Sequence, residues 1–257
     1  MLTNYHTHTF RCLHAQGTEE DYVKEAVRQG LRVLGFSDHA PFPDHDFGLR
    51  MKYSELDDYL NELERLKKLY SDKITVLKGL EIEYHPKYFS YYKELLENCG
   101  LDYLALGEHT FVAPDRKLHN IFFAKSTDDF VDYANAVCEA IETKLFAFVA
   151  HPDLMFINNL AWDDNCEKAC DIIIDCAEKN NTILEFNANG LRRQKQLYSD
   201  GERYPYPHKA FWEKVRGRNI RVLIGSDCHI PEQINDEYVS FARKLAKNLK
   251  LNVVDSI

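Results

Sequence analysis

Seven times along this chain a short run of β-branched and apolar residues gives way to a longer segment with helical spacing. The strand candidates are residues 2–8, 31–39, 74–83, 101–109, 145–153, 182–190 and 220–229. Between them lie segments with apolar positions three and four apart, such as Leu56, Leu60, Leu63 and Leu66, which share one helical face. The segment 18–30 opens on Thr18, a good N-cap, and stops at Gly30. Strands that alternate with helices pair in parallel, because a parallel pair needs a crossover connection. Seven such units predict an α/β fold, either a barrel or a doubly wound sheet, within one domain spanning 1–257. No Gly-x-Gly-x-x-Gly follows the first run, so the dinucleotide-binding sheet lacks its main fingerprint. The longest irregular stretches, 40–52 and 191–207, have the length of loops that cover a site.

Bulk properties narrow the function. Of 257 residues, 45% are hydrophobic and 28% charged, which suits a globular core. The formal charge of −9 argues against a duplex nucleic-acid partner, which needs a basic face. The seven cysteines are odd in number and lie mostly in apparent helices, which disfavours a disulfide framework and favours a reducing compartment. No basic stretch followed by an apolar run opens the chain, and no segment approaches a membrane span, so a cytoplasmic protein is expected.

The eleven histidines are not scattered. His6 and His8 end the first run, His39 the second, His109 the fourth, His151 the fifth and His229 the seventh, while His14 follows the first. Glu81 lies near the end of the third run and Asp227 near the end of the seventh. In a parallel barrel all these strand ends open on one face, where sites are built. Residues two apart on a strand point the same way, so 6 with 8 and 227 with 229 should face one mouth. Crowded imidazoles would repel one another if protonated, and a metal ion takes up their lone pairs. Nine donors exceed what one tetrahedral ion accepts and suffice for two or three, an arrangement suited to phosphoester hydrolysis. His45, His85, His119 and His208 lie in loops or at helix starts and are expected to be solvated or capping. Cys228 should alternate away from the mouth, as should Glu108 and Ser226.

Taken in order, "YHTHTF…H", "GFSDHAPFP", "LKGLEIEY", "DYLALGEHTF", "VAHPDL", "EFNANGLR" and "IGSDCH" resemble the polymerase-and-histidinol-phosphatase (PHP) superfamily. The "SDHAP…RM…ELDDYL" stretch, "GLEIEY" and the "GLR…YP…SDCH" ending are similar to its monofunctional histidinol-phosphate phosphatases. The resemblance runs from residue 5 to about residue 235. It implies a distorted (β/α)7 TIM-like barrel with a trinuclear metal centre at the C-terminal strand ends. One ion would take His6, His8, Glu81 and Asp227; a second Glu81, His109 and His151; a third His14, His39 and His229.

The chemistry expected is hydrolysis of a small phosphomonoester, L-histidinol phosphate first, by a metal-bound hydroxide, with three divalent ions drawn from zinc, iron or manganese. Arg192, which opens the second long loop, is the first candidate to grip phosphate, and Arg50 the second; Arg193 and Arg116 rank lower. Asp153, beside His151, is a candidate acid or a partner that orients a ligand. The alternatives are another small phosphoester or nucleotide as substrate, or a metal-binding protein without catalysis. Neither a membrane nor a nucleic acid is an expected partner, and oligomeric state is left open.

Overall fold

The structure, a computed structural model, describes residues 2–257. Its strands are β1 (Thr3–Asn4), β2 (Val33–Gly35), β3 (Thr75–Leu77), β4 (Gly79–Ile82), β5 (Tyr103–Leu106), β6 (Thr110–Val112), β7 (Leu118–Asn120), β8 (Phe148–Val149), β9 (Ile183–Asn187), β10 (Gln196–Tyr198), β11 (Gly201–Arg203), β12 (Arg221–Gly225) and β13 (Asn252–Val254). Its α-helices are α1 (Glu19–Arg28), α2 (Leu56–Leu69), α3 (Phe89–Glu97), α4 (Asp128–Glu142), α5 (Asp164–Asn180), α6 (Asn189–Arg192), α7 (Lys209–Val215) and α8 (Glu237–Asn248). One sheet runs β1-β2-β3 and another β13-β12-β9-β8-β5-β4, with every pair parallel. The chain is therefore a mixed α/β fold with parallel sheets, as the alternation requires.

The two sheets meet at both seams through single bridges. Thr7, just past β1, pairs with Cys228, just past β12, and His39, past β2, pairs with Glu81 of β4. The His8 N–H donates to the Cys228 carbonyl at 3.0 Å, and the Ala40 N–H to the Glu81 carbonyl at 2.8 Å. Two layers of apolar side chains result. The larger lies between strands and helices: α2 buries Leu56, Tyr59, Leu60, Leu63 and Leu66 there, each side chain contributing about 1.5–3 kcal/mol. The smaller cluster is built by Tyr5, just past β1, and by Tyr103, Ala105, Phe148, Ile183 and Leu223 of the larger sheet, with Val33 and Leu77 of the smaller sheet packed on it.

Several elements differ from the sequence expectation. The run 74–83 is not one strand but two, broken at Lys78, with β3 pairing β2 and β4 pairing β5. The break follows from Tyr103, whose hydroxyl lies 2.7 Å from the carbonyls of both Tyr5 and Phe36, which share its single O–H. A Cβ on Gly79 would collide with that ring, so glycine lets the strand turn past it. Strand β13 joins the sheet beyond the last predicted run. Two antiparallel hairpins, β6–β7 and β10–β11, form in segments read as connections, the second inside 191–207. Cys138 of α4 and Cys176 of α5 are joined in a disulfide with Cα atoms 5.8 Å apart, so not every cysteine is a thiol. Packing of α4 on α5 brings the two side chains together across 38 residues of sequence. Among the described residues no helix is long and apolar enough to cross a membrane.

Candidate metal centre

All nine predicted donors converge where the strands end. His6 and His8 stand on the turn after β1, with their Nε2 atoms 3.0 Å apart. Glu81, on β4, sits at the centre. Its Oε2 lies 3.5 Å from His6 Nε2, 3.4 Å from His8 Nε2 and 3.0 Å from His39 Nδ1. Its Oε1 lies 2.8 Å from His151 Nε2 and 3.6 Å from His109 Nε2. Room for this carboxylate comes from Gly107, where a Cβ would overlap it. Asp227 Oδ1 approaches His8 Nε2 at 3.2 Å and the His6 Nε2 and His229 Nδ1 atoms at 3.6 Å. At the mouth, His14 Nε2 and His229 Nε2 are 2.9 Å apart. His151 (φ 30°) and Asp227 (φ 49°) occupy left-handed backbone, a strained setting for non-glycine residues that recurs at functional sites.

The donor set fits divalent ions. Two Nε2 atoms at 3.0 Å cannot both present lone pairs without a cation or proton between them. Glu81 Oε2, at the centre of the cluster, is buried with no hydrogen-bond partner, a costly state for a polar atom. Donor atoms of His6, His8 and Glu81 lie within 4.8 Å of one another, as do those of His6, His151 and Asp227, of His39, Glu81 and His109, and of His14, His39 and His229. The field is that of a cation site. Burial would push the Glu81 carboxyl up, yet His6, His109 and His39 hold it well below the usual carboxylate range. Asp227 behaves alike: burial opposes ionisation, but His6 and His8 hold it well down. Burial lowers the His39 ring to about 4, and burial with His39 and His229 lowers His8 well below its usual value.

Behind the donors stand acids that the sequence reading did not single out. Glu185 Oε1 lies 2.8 Å from His6 Nδ1, and Glu83 Oε1 lies 3.2 Å from His109 Nδ1. Asp38 accepts from the Thr9 N–H and hydroxyl, both at 2.7 Å, fixing the turn after His8. The signal available was spacing: Glu185 with Asn187 on β9, and Glu81 on β4 with Glu83 just past its end, are acid and polar pairs two apart.

The predicted arginines are already committed. Arg192 donates to both Asp236 oxygens, at 2.8 and 3.1 Å, and to Ser226 and Gln233. Arg50 is forked onto Glu83 at 2.9 and 3.0 Å and also donates to the Ala40 and Gly48 carbonyls. Both line the cleft, of about 630 Å³, but Arg193 lines it without a carboxylate partner among the described residues, 6.0 Å from the Tyr206 ring. Arg116 lies outside the cleft lining, past Ala113 in the β6–β7 turn. Asp153 accepts from the His208 N–H at 2.5 Å and from the Trp212 indole at 3.0 Å, and no hydrogen bond joins it to the His151 ring. Burial pushes its carboxyl up to about 6.

Of the four remaining histidines, His45 is exposed and His119 partly so, as expected. His85 and His208 are not: both are buried, His85 stacked on Phe47 at 5.1 Å and His208 against both Trp162 and Phe156, at 5.0 and 4.5 Å. Aromatic faces cover these rings, which polarity alone did not foretell. Cys228 faces away from the donors into the core, and Glu108 accepts from the Tyr84 N–H at 2.8 Å.

Residues 4–189 match the model of the PHP domain. The chain is 27% identical over 255 residues to a probable histidinol-phosphatase of Deinococcus radiodurans, covering 95% of this chain and 92% of that one. It is 23% identical over 267 residues to the histidinol-phosphatase of Bacillus subtilis, covering 93% and 97%. Its fold is similar to the crystal structure of histidinol phosphate phosphatase from Lactococcus lactis, complexed with zinc, L-histidinol and phosphate, with a TM-score of 0.70 at 19% identity over 98% of this chain and 95% of that one.

Proposed function

The chain belongs to the PHP domain family, and from that premise we propose that it is a metal-dependent phosphomonoesterase hydrolysing L-histidinol phosphate to L-histidinol and phosphate. The observation that carries the reading is the convergence of seven histidines, Glu81 and Asp227, with the buried Glu81 Oε2 left without a hydrogen-bond partner among them. Relatives that match nearly end to end bear the histidinol-phosphatase name, which favours this substrate over a nucleotide.

We take the ligands to be shared among three divalent ions. His6, His8, Glu81 and Asp227 would hold the first; Glu81, His109 and His151 the second; His14, His39 and His229 the third. Zinc, iron or manganese suits this mixture of imidazole and carboxylate. Such ions, when bound, supply a water of lowered pKa and neutralise charge on the phosphoryl oxygens. The chain's own part is orientation. Glu81, between five imidazoles, fixes the spacing of the donors, and Arg193 offers its guanidinium to the phosphate from the cleft wall. Phe47, Leu49, Phe122 and Phe123 give the leaving group an apolar wall and limit water at the reacting end. The strands are read as a closed, distorted barrel, because residues from both sheets share the inner cluster and both seams are bridged. Residues 1–257 are read as one domain.

The test is phosphate release by zinc- or manganese-loaded protein from histidinol phosphate, 5′-nucleotides and simple alkyl phosphates. A preference for histidinol phosphate is expected, lost in Asp227→Asn with the fold retained. Equal rates on nucleotides would move the substrate, and no turnover at full metal load would leave only a metal-binding protein.

A further inference from the structure

Glu185 lies on β9, fully buried, and its two oxygens do different work. Oε1 is 2.8 Å from His6 Nδ1. Oε2 accepts the His151 N–H at 3.0 Å and the Asn187 side-chain N–H at 2.8 Å. Asn187 Nδ2 also donates to Asp227 Oδ2 at 3.2 Å. One carboxylate thus reaches, directly or through Asn187, three of the nine donors, held by elements from opposite ends of the chain. Space for it is kept at Gly225, where a Cβ would overlap its oxygen.

A carboxylate has no proton to give, so the contact with His6 requires the hydrogen on Nδ1. Nε2 is then bare, and it is the atom that faces His8, Glu81 and Asp227. We propose that Glu185 is a positioning residue that sets the His6 tautomer, leaving Nε2 free to bind an ion, and ties that choice to the placement of His151 and Asp227. The proposal deepens the metal-site reading above and rests on it. A glutamine at 185 has the same shape but one acceptor only. Its oxygen is claimed by the two donors from His151 and Asn187, so its NH2 turns to His6. Nδ1 must then accept, and the ring hydrogen moves to Nε2, into the position an ion would take. The number of hydrogen bonds is unchanged, so the fold is kept while the site is blocked.

The experiment compares wild type with Glu185→Gln in zinc competition against a chromophoric chelator, with circular dichroism as the check on folding. It is joined by the imidazole nitrogen NMR spectrum of the metal-free proteins at alkaline pH. The expected result is an affinity about 10- to 100-fold weaker for the ion at His6, an unchanged melting curve without metal, and a His6 hydrogen that moves from Nδ1 to Nε2. Equal affinity, or a His6 hydrogen that stays on Nδ1, overturns the proposal. Should Glu185→Gln not fold, Glu185→Asp enters the same titration: it keeps the acceptors but cannot reach His6 and His151 together, so unchanged affinity overturns the proposal and weakened affinity supports it. A wild-type protein that binds no zinc defeats the metal-site reading itself, a result separate from a wild type that binds and a variant that binds equally.

Discussion

At the scale of single residues, neighbours in sequence take opposite parts. Arg192 is spent on Asp236, Ser226 and Gln233, whereas Arg193, one position on, faces the cleft unpaired by any described carboxylate. Arg193→Ala is therefore expected to raise KM for a phosphomonoester about 10- to 100-fold, the worth of a charge-assisted hydrogen bond, with metal content unchanged; steady-state kinetics beside metal analysis checks it. His85 gives a pH signature away from the donors. Burial holds its ring at about 4, against an ordinary 6.5. As pH falls below 6.5 the unfolded chain takes the proton first, so stability is full above that value and is lost between 6.5 and 4, by about 3 kcal/mol at most. His85→Phe, stacked on Phe47 in the same way, removes this term. Urea unfolding at neutral and at acid pH should show the wild type losing more stability than the variant, and parallel losses would refute the assignment.

At the scale of elements, caps and joints decide what holds. Asp236 caps α8, accepting from the Tyr238 and Val239 N–H groups at 3.0 Å, and also neutralises the poorly exposed Arg192. Asp163 caps α5 in the same way, without an arginine. Asp163→Ala should cost about 1 kcal/mol and Asp236→Ala about 3 kcal/mol, since the second leaves a guanidinium stranded; equal losses in urea titrations would deny Arg192 that role. The helices could be read from sequence because caps and apolar spacing are local: Thr18 and its partner Asp21 begin α1 where expected. Strand positions could be placed for the same reason, and with them the convergence of the histidines, although β1, β2, β5, β8 and β12 stop short of the predicted ends, so His6, His8, His39, His109, His151 and His229 follow the strands rather than end them. The break at Lys78 could not, because it depends on Tyr103, a distant ring. Nor could β13, a short strand with two exposed residues. Glu185 and Glu83 are not legible as site residues in the sequence, because an acid on or beside a buried strand looks like any other until its partner is seen. The turn of α6 hid which of Arg192 and Arg193 faces inward, since strand alternation no longer applied.

At the scale of the whole molecule, the donor cluster joins the two sheets. His6, His8 and His39 follow strands of the smaller sheet, while Glu81, His151 and Asp227 belong to or follow strands of the larger. An ion held between them binds the folded form alone, which at a thousandfold excess over its Kd adds about 4 kcal/mol. Stripping metal with a chelator should lower the melting temperature by roughly 10 °C, and zinc should restore it; calorimetry that shows no change would mean the sheets hold without help. The seam where Thr7 meets Cys228 also fixes an order of events during synthesis. His6 and His8 leave the ribosome well before Asp227 and His229, which stand far later in the chain. A nascent chain that stops short of Asp227 cannot own the assembled cluster, and such a product, even with most of the preceding helices formed, would have a gap where its cation should rest.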